Sequence, residues 1–183
     1  YNLFQSRFDV DNYIDYFTIQ TFIQNMDWMG IQWGLNNTKL WRPQSDDGKW
    51  RYMLFDTDAS YGYFGQSIYE NYMNKARSPI VVNKHSQIFN KVLLNPQFKC
   101  QFNNRYNDLV NTIFQADNVS YEAMKIKGQL YNAMPDHITR WLNSGTQTIS
   151  SVNQWENAIN TFVQYNNSRL TTAANHLNQS LGL

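Results

Sequence analysis

Asp27, Asp56 and Asp58 are the side chains of this sequence best placed to do chemistry, with Asn36 and Asn37 between them. All five fall in residues 25–62, NMDWMGIQWGLNNTKLWRPQSDDGKWRYMLFDTDASYG. A carboxylate just after a helix can serve as a general base or simply close an Asx turn. Two asparagines before a strand are ordinary turn residues, and also neutral oxygen donors for a hard cation. The Asp-x-Asp pair asks for more explanation. Strand periodicity puts Asp56 and Asp58 on the face of Trp50, Tyr52 and Leu54 if the strand persists that far. Carboxylates so close raise each other's pKa unless they share a cation, and magnesium, manganese and calcium all take oxygen ligands. Ser60 extends the pair to D-x-D-x-S, the start of a calcium loop. Tyr61 and Ser67 then stand where an EF-hand needs Gly and Glu, which excludes the standard motif and leaves an irregular calcium site open.

The elements that must hold these residues read as mainly α with a small β-hairpin. Val10, Tyr13, Ile14, Phe17, Phe22 and Ile23 recur mainly at helical spacing, with Asp9 or Asp11 as N-cap, and predict a buried helix ending near Asn25. TKLWRP and KWRYMLF flank the polar turn QSDDG and predict a hairpin. Its second strand is apolar on both faces, so neighbours are expected to cover both. Residues 59–84 show no sustained period and read as a long surface loop. Helices follow at 86–94, at 96–114 with Asn95 as cap and Pro96 at the first position, and from Ser120, with Pro135 expected to kink or split that element near Met134. A last helix starts near Ser150 or Ser151 and carries Val152, Trp155, Ile159, Phe162, Leu170, Ala173 and Leu177 on one side.

The length of 183 residues suits a single domain. Fifteen basic against 14 acidic side chains give a net charge of +1, so no field draws the chain to nucleic acid or to an anionic membrane. No run reaches the ~20 apolar residues of a membrane span. Cys100 is the only cysteine, which rules out an intrachain disulfide and a cysteine-based zinc site, and FKCQF predicts it half-buried on a helix. His85, His137 and His176 lack ligand spacing and read as caps or surface residues.

The order of parts is that of a protein kinase catalytic region: helix, Asp, Asn, short hairpin, Asp, then a long loop and helices. NMDW with NNTKLWR, GKWRYMLFDTDASYG, and IFNKVLLNPQFKCQFNNRYNDLVNTIF with HITRW resemble, collinearly over about residues 11–141, the CotH family of spore-coat protein H-like, atypical kinase-like proteins. The resemblance implies a helical fold like a protein-kinase C-lobe, and Mg-ATP phosphoryl transfer to Ser or Thr of a coat or extracellular protein. It casts Asp27 as the catalytic aspartate, Asn36 or Asn37 as the metal-coordinating amide, Asp58 as the principal metal ligand and Asp56 as a co-ligand. It also implies a spore-coat, cell-surface or otherwise extracellular bacterial setting. IQWGL lengthens the segment between DW and the asparagines relative to the family pattern.

Only 26 residues precede Asp27, and they contain neither Gly nor Lys. A nucleotide clamp needs such groups upstream, so residues 1–183 are expected to be the C-terminal lobe of a longer kinase, its nucleotide lobe lying outside this sequence and this piece alone inactive. Two readings of other classes compete. One is a catalytically silent extracellular or coat-binding domain using the Tyr-rich segment 61–72, and the other a calcium-stabilised structural module built on Asp56, Asp58 and Ser60.

Overall fold

A computed structural model describes residues 1–142, 144 and 149–183. The chain is mainly helical around one antiparallel hairpin: α1 (Asn2–Arg7), α2 (Val10–Phe22), β1 (Lys39–Trp41), β2 (Arg51–Met53), α3 (Tyr72–Arg77), α4 (Lys84–Leu93), α5 (Pro96–Asn111), α6 (Ala116–Leu130), α7 (Met134–Trp141) and α8 (Val152–Leu181). The strand register pairs Lys39 with Met53, Leu40 with Tyr52 and Trp41 with Arg51.

Capping chemistry starts most of the helices. Asp9, Asn71, Asn83, Asn95 and Ser151 each accept a backbone N–H three residues on, at α2, α3, α4, α5 and α8. Each such bond satisfies one of the orphan donors of a first turn. Pro135 splits the chain as expected, with a 3₁₀ turn (Tyr131–Ala133) between α6 and α7. Two expectations are corrected. The segment 59–84 is not all loop, because Tyr72, Met73 and Ala76 of α3 are buried in the core. Ser120 lies inside α6, which begins four residues earlier at Ala116.

The core is aromatic and centres on α2. Phe17 meets Phe89 at 4.3 Å and Tyr13 at 4.4 Å between ring centroids, and Phe22 stacks on Phe114 at 4.0 Å. Tyr13, Phe17, Phe22, Phe89, Phe98, Phe102 and Tyr106 are all fully excluded from solvent. Burying rings of this size is the largest single source of stabilisation available to the chain.

The hairpin is attached to this core by α2. The Asn12 side chain spans the Tyr52 backbone as a second strand would, its Nδ2 donating to the Tyr52 carbonyl at 3.1 Å and its Oδ1 accepting the Tyr52 N–H at 2.7 Å. Arg51 Nε donates to Asp9 Oδ2 at 2.8 Å. Burial would raise the Asp9 carboxyl, but the Asn12 N–H and Arg51 hold it below the usual carboxylate range. Tyr52 faces inward against Tyr16, and its hydroxyl is hydrogen-bonded to His85 Nδ1 at 2.8 Å. Burial pushes that hydroxyl up and that imidazole down, so both partners are neutral at physiological pH.

The opposite face of the hairpin is not covered as expected. Trp41 and Met53 on that face, and Leu54 and Phe55 just past the end of β2, are each 45–48% exposed. Arg51 lies over Trp41, Arg42 over Trp50 and Lys39 over Phe55 at 5.4 Å each, so cations rather than a second layer shield the rings.

Beside the C-terminal end of α2, Arg169 on α8 is 1% exposed. Its guanidinium donates to the carbonyls of Phe22, Thr21 and Ile68, to Thr172 Oγ1 and to His176 Nδ1 at 2.7–3.4 Å, with Phe22's ring below it. No carboxylate among the described residues pairs with it. His176, read from the sequence as a cap or surface residue, is buried here, and Cys100 is exposed instead of half-buried.

Candidate functional site

The end of α2 and the end of β2 run past each other and hold the candidate residues together. Met26 N donates to the Ala59 carbonyl and Tyr61 N to the Ile23 carbonyl, both at 2.9 Å. Asn25, completely buried, is the clamp between the two segments. Its Oδ1 accepts the Asp27 N–H at 3.0 Å, while its Nδ2 donates to Gln20 Oε1 at 2.9 Å and to the Asp56 carbonyl at 3.4 Å. Sequence reasoning passed over Asn25. The signal was N-x-D at a helix end, where an Asx turn orients the carboxylate that follows.

Asp27 is half-buried, and its Oδ2 accepts Asn37 Nδ2 at 2.8 Å. Of the two candidate asparagines, Asn37 is buried and on the site, whereas Asn36 is exposed and makes no side-chain bond among the described residues. IQWGL does not carry Asn37 away, because the added residues loop outward and return. Gln32 N bonds the Met26 carbonyl at 3.2 Å, Gly30 N the Gly34 carbonyl at 3.1 Å and Met29 N the Thr38 hydroxyl at 3.2 Å. The exposed tip rests Trp33 edge-on against Phe64 at 5.5 Å.

Asp56 and Asp58 meet, but not through the pleat of a persistent strand. β2 ends at Met53, and Asp56 takes φ +50°. Asp58 raises the Asp56 pKa most, as a hydrogen-bonding partner and then through its charge, followed by slight desolvation and the charge of Asp27. One proton shared by two carboxyls is what crowded like charges do without a cation. Asp27 is close enough to Asp56 to add to that repulsion, so all three carboxylates act on one locality.

The backbone around them is unusual. The non-glycine residues with positive φ among the described residues are Gln24, Met29, Asp56 and Tyr61, and all four bracket the site. Such conformations cost of order 1–3 kcal/mol each and persist only where surrounding contacts impose them. Two glycines are required nearby. A Cβ on Gly30 would lie 2.7 Å from the Val81 carbonyl oxygen, and one on Gly62 would lie 2.4 Å from the Tyr165 ring.

The donors here are all oxygens, which suits a hard cation and not a soft one. No group of three or more His, Cys, Asp or Glu gathers as a self-sufficient metal site among the described residues. Asp58 also lines a groove of about 730 Å³ between the β2 exit and α8.

A family model described as CotH kinase protein matches residues 1–173, and the chain belongs to the CotH family. The match extends beyond the motif region to take in α1 and most of α8. No curated protein and no solved structure matches the chain. No helix among the described residues is long and apolar enough to cross a membrane.

Proposed function

We propose that this chain supplies the catalytic base and the metal ligands of a CotH-type protein kinase, which transfers the γ-phosphoryl group of Mg-ATP to a Ser or Thr hydroxyl of a coat or extracellular protein. The observation that carries the reading is the Asn37–Asp27 hydrogen bond beside the Asp56–Asp58 pair. That arrangement combines a held carboxylate, an amide with a free oxygen and a carboxylate pair that repels itself without a cation.

In the transfer the acceptor oxygen forms a bond to the γ-phosphorus, the bridging oxygen leaves on ADP, and the hydroxyl proton goes to Asp27. Asn37 occupies Asp27 Oδ2 and thereby turns Oδ1 toward the acceptor. Asn25 fixes the Asp27 backbone from below. Asp58, helped by Asp56 and the Asn37 amide oxygen, would hold magnesium or manganese, whose bound charge offsets that developing on the phosphoryl oxygens. The residues ahead of Asp27 offer neither Gly nor Lys for a nucleotide clamp, so transfer is expected only where such a clamp is supplied as well.

Labelled ATP and Ser/Thr-rich acceptors test the reading on a chain that carries such a clamp. Transfer that depends on magnesium or manganese and falls at least ~10³-fold in Asp27→Ala and Asp58→Ala is the expected result, positioning and charge together being worth that much of the barrier. Asp58→Ala with undiminished transfer overturns it. Tight calcium-selective binding that survives Asp27→Ala favours the structural calcium module, and no transfer to any acceptor favours the silent binding domain.

A further inference from the structure

Gln20 lies on the core side of α2, fully buried, and it holds Asn25 twice. Its main-chain carbonyl accepts the Asn25 N–H at 3.1 Å, and its Oε1 accepts Asn25 Nδ2 at 2.9 Å. Asn25 in turn accepts the Asp27 N–H and donates to the Asp56 carbonyl, so the backbones of two candidate carboxylates hang on one buried amide. Only one hydrogen-bond polarity satisfies this chain. The Asp27 N–H needs an acceptor, which turns Asn25 Nδ2 toward Gln20. That donor claims Gln20 Oε1 and leaves Gln20 Nε2 directed elsewhere in the core.

Gln20 Nε2, the hydroxyl of Tyr16 one helical turn earlier, and Nε1 of Trp28, the residue after Asp27, are all buried and make no hydrogen bond among the described residues. Buried polar atoms without partners are uncommon in native interiors and ask for an explanation. The Tyr16 and Trp28 rings meet edge-on with their centroids 5.8 Å apart. Burial pushes the Tyr16 hydroxyl up to about 12, and Gln20 and Trp28 act on it as nearby donors that restrain the rise. The hydroxyl oxygen is the one acceptor of the three atoms, and its two lone pairs match the two N–H groups.

We infer that Tyr16, Gln20 and Trp28 are positioning residues for the candidate base, a buried relay that runs through Asn25 and sets where Asp27 stands relative to Asp56. The inference rests on the kinase reading only in calling Asp27 the base. Tyr16 anchors the two donors, Gln20 passes the orientation on to Asn25, and Trp28 holds the chain on the far side of Asp27. The carboxylate is thereby gripped through both of its chain neighbours. A misplacement of about 1 Å can cost ~10²-fold in rate, so a base carried on a loop needs such support from a rigid element.

Amide hydrogen exchange, read by NMR on the 183-residue chain, tests the relay without phosphoryl transfer. Gln20→Met keeps the length of the side chain and removes both polar atoms, and Tyr16→Phe removes only the hydroxyl. Tyr13→Phe is the control, because that hydroxyl is also buried and unpaired but lies outside the relay. In Gln20→Met the Asp27 N–H is expected to exchange at least ~10-fold faster, beyond any change shared by the amides of α5, which is the scale of one lost hydrogen bond. Tyr16→Phe should accelerate the same amide by about 3-fold, and Tyr13→Phe should leave it unchanged. Tyr16→Phe decides the matter alone if Gln20→Met does not fold. An unchanged Asp27 rate in either folded variant overturns the relay. So does an Asp27 rate that rises only in step with the α5 amides, since that is the mark of a general loss of stability. If the Asp27 amide responds selectively while a clamp-bearing chain transfers no phosphate, the kinase reading fails and the relay stands.

Discussion

Two polar clusters flank the C-terminal end of α2, and they solve the burial of charge in opposite ways. Around Arg169 one cation is wrapped by five neutral acceptors and shut off from water, so each hydrogen bond is made and nothing is left to recruit. Around Asp27 and Asp58 the carboxylates are half-buried or exposed and repel one another, and Asp56 among them sits on backbone in a left-handed conformation. The first arrangement is complete as it stands and serves architecture. The second is incomplete without a positive charge, and that incompleteness is the property expected of a ligand site.

The sharpest way to break the comparison is to remove the architectural cation. Arg169→Met keeps a hydrophobic stem but strands the carbonyls of Phe22 and Thr21 and the His176 ring in a dry interior. A loss of about 3–5 kcal/mol is expected, since each unsatisfied buried group costs about 1–3 kcal/mol. Urea unfolding followed by tryptophan fluorescence measures it. Asp58→Ala in the same assay should leave stability within about 0.5 kcal/mol, as for an ordinary surface change. A comparable loss in both variants would mean that the two clusters are not different in kind.

The next effect separates neighbours within the site. Asn37→Ala removes a buried amide that holds Asp27 and should cost about 1–2 kcal/mol, whereas Asn36→Ala should fall within about 0.5 kcal/mol of the parent. Magnesium, titrated during thermal unfolding, should raise the Tm of Asn36→Ala as in the parent and raise that of Asn37→Ala less. Equal behaviour of the two variants would remove Asn37 from the metal-ligand set.

This pair also marks how far the sequence could be read. The hairpin and the helices around it were legible because turn chemistry and hydrophobic period are local. So were Asn95–Pro96 and the Pro135 break. The choice between Asn36 and Asn37 was not, since it depends on how IQWGL folds back through Thr38 and Met26, a matter of tertiary hydrogen bonds. Arg169 drew no reading from the sequence, since nothing local reveals that the Phe22 and Thr21 carbonyls await it. Asp56 and Asp58 were expected together through strand parity and come together through a left-handed turn instead. The hairpin's outer face was expected to be covered, because an apolar strand reads the same whether a protein layer or cations shield it.

A smaller effect comes from acid. Burial first, and then the adjacent Arg169 charge, depress the His176 pKa, and burial alone depresses that of His85. In the unfolded chain both take up protons near the ordinary histidine value of ~6.5. The unfolded state therefore binds more protons between that value and the depressed ones, so their contribution is fully present above pH ~6.5 and is lost as pH falls through the folded values. Unfolding midpoints measured from pH 8 to pH 5 should decline over that window. His176→Gln should flatten the slope, and an unchanged slope would show that Arg169's cluster does not control it.

The smallest effect is the most direct probe of the incomplete cluster. The Asp56 pKa is raised through its bond to Asp58, then by Asp58's charge and, more weakly, by Asp27's. A raised carboxyl pKa favours the folded state below the unfolded value of ~3.9, and that advantage disappears as pH rises through the folded value. At neutral pH, with chelator present, the native state then carries repulsion that the unfolded chain does not. Asp56→Asn should remove it and raise the Tm slightly, in a direction opposite to most substitutions. With magnesium in excess the sign should invert, because the parent gains a bound cation that the variant holds less well, and binding to the native state alone stabilises it. The parent's apparent magnesium affinity should also weaken on acidification at a pH above that of an isolated aspartate, since protons and cation compete for one pair of carboxyls. Differential scanning fluorimetry across a grid of pH and magnesium resolves both signs. A variant that is destabilised equally with chelator and with magnesium would show that Asp56 and Asp58 are turn residues whose crowding has no bearing on a cation.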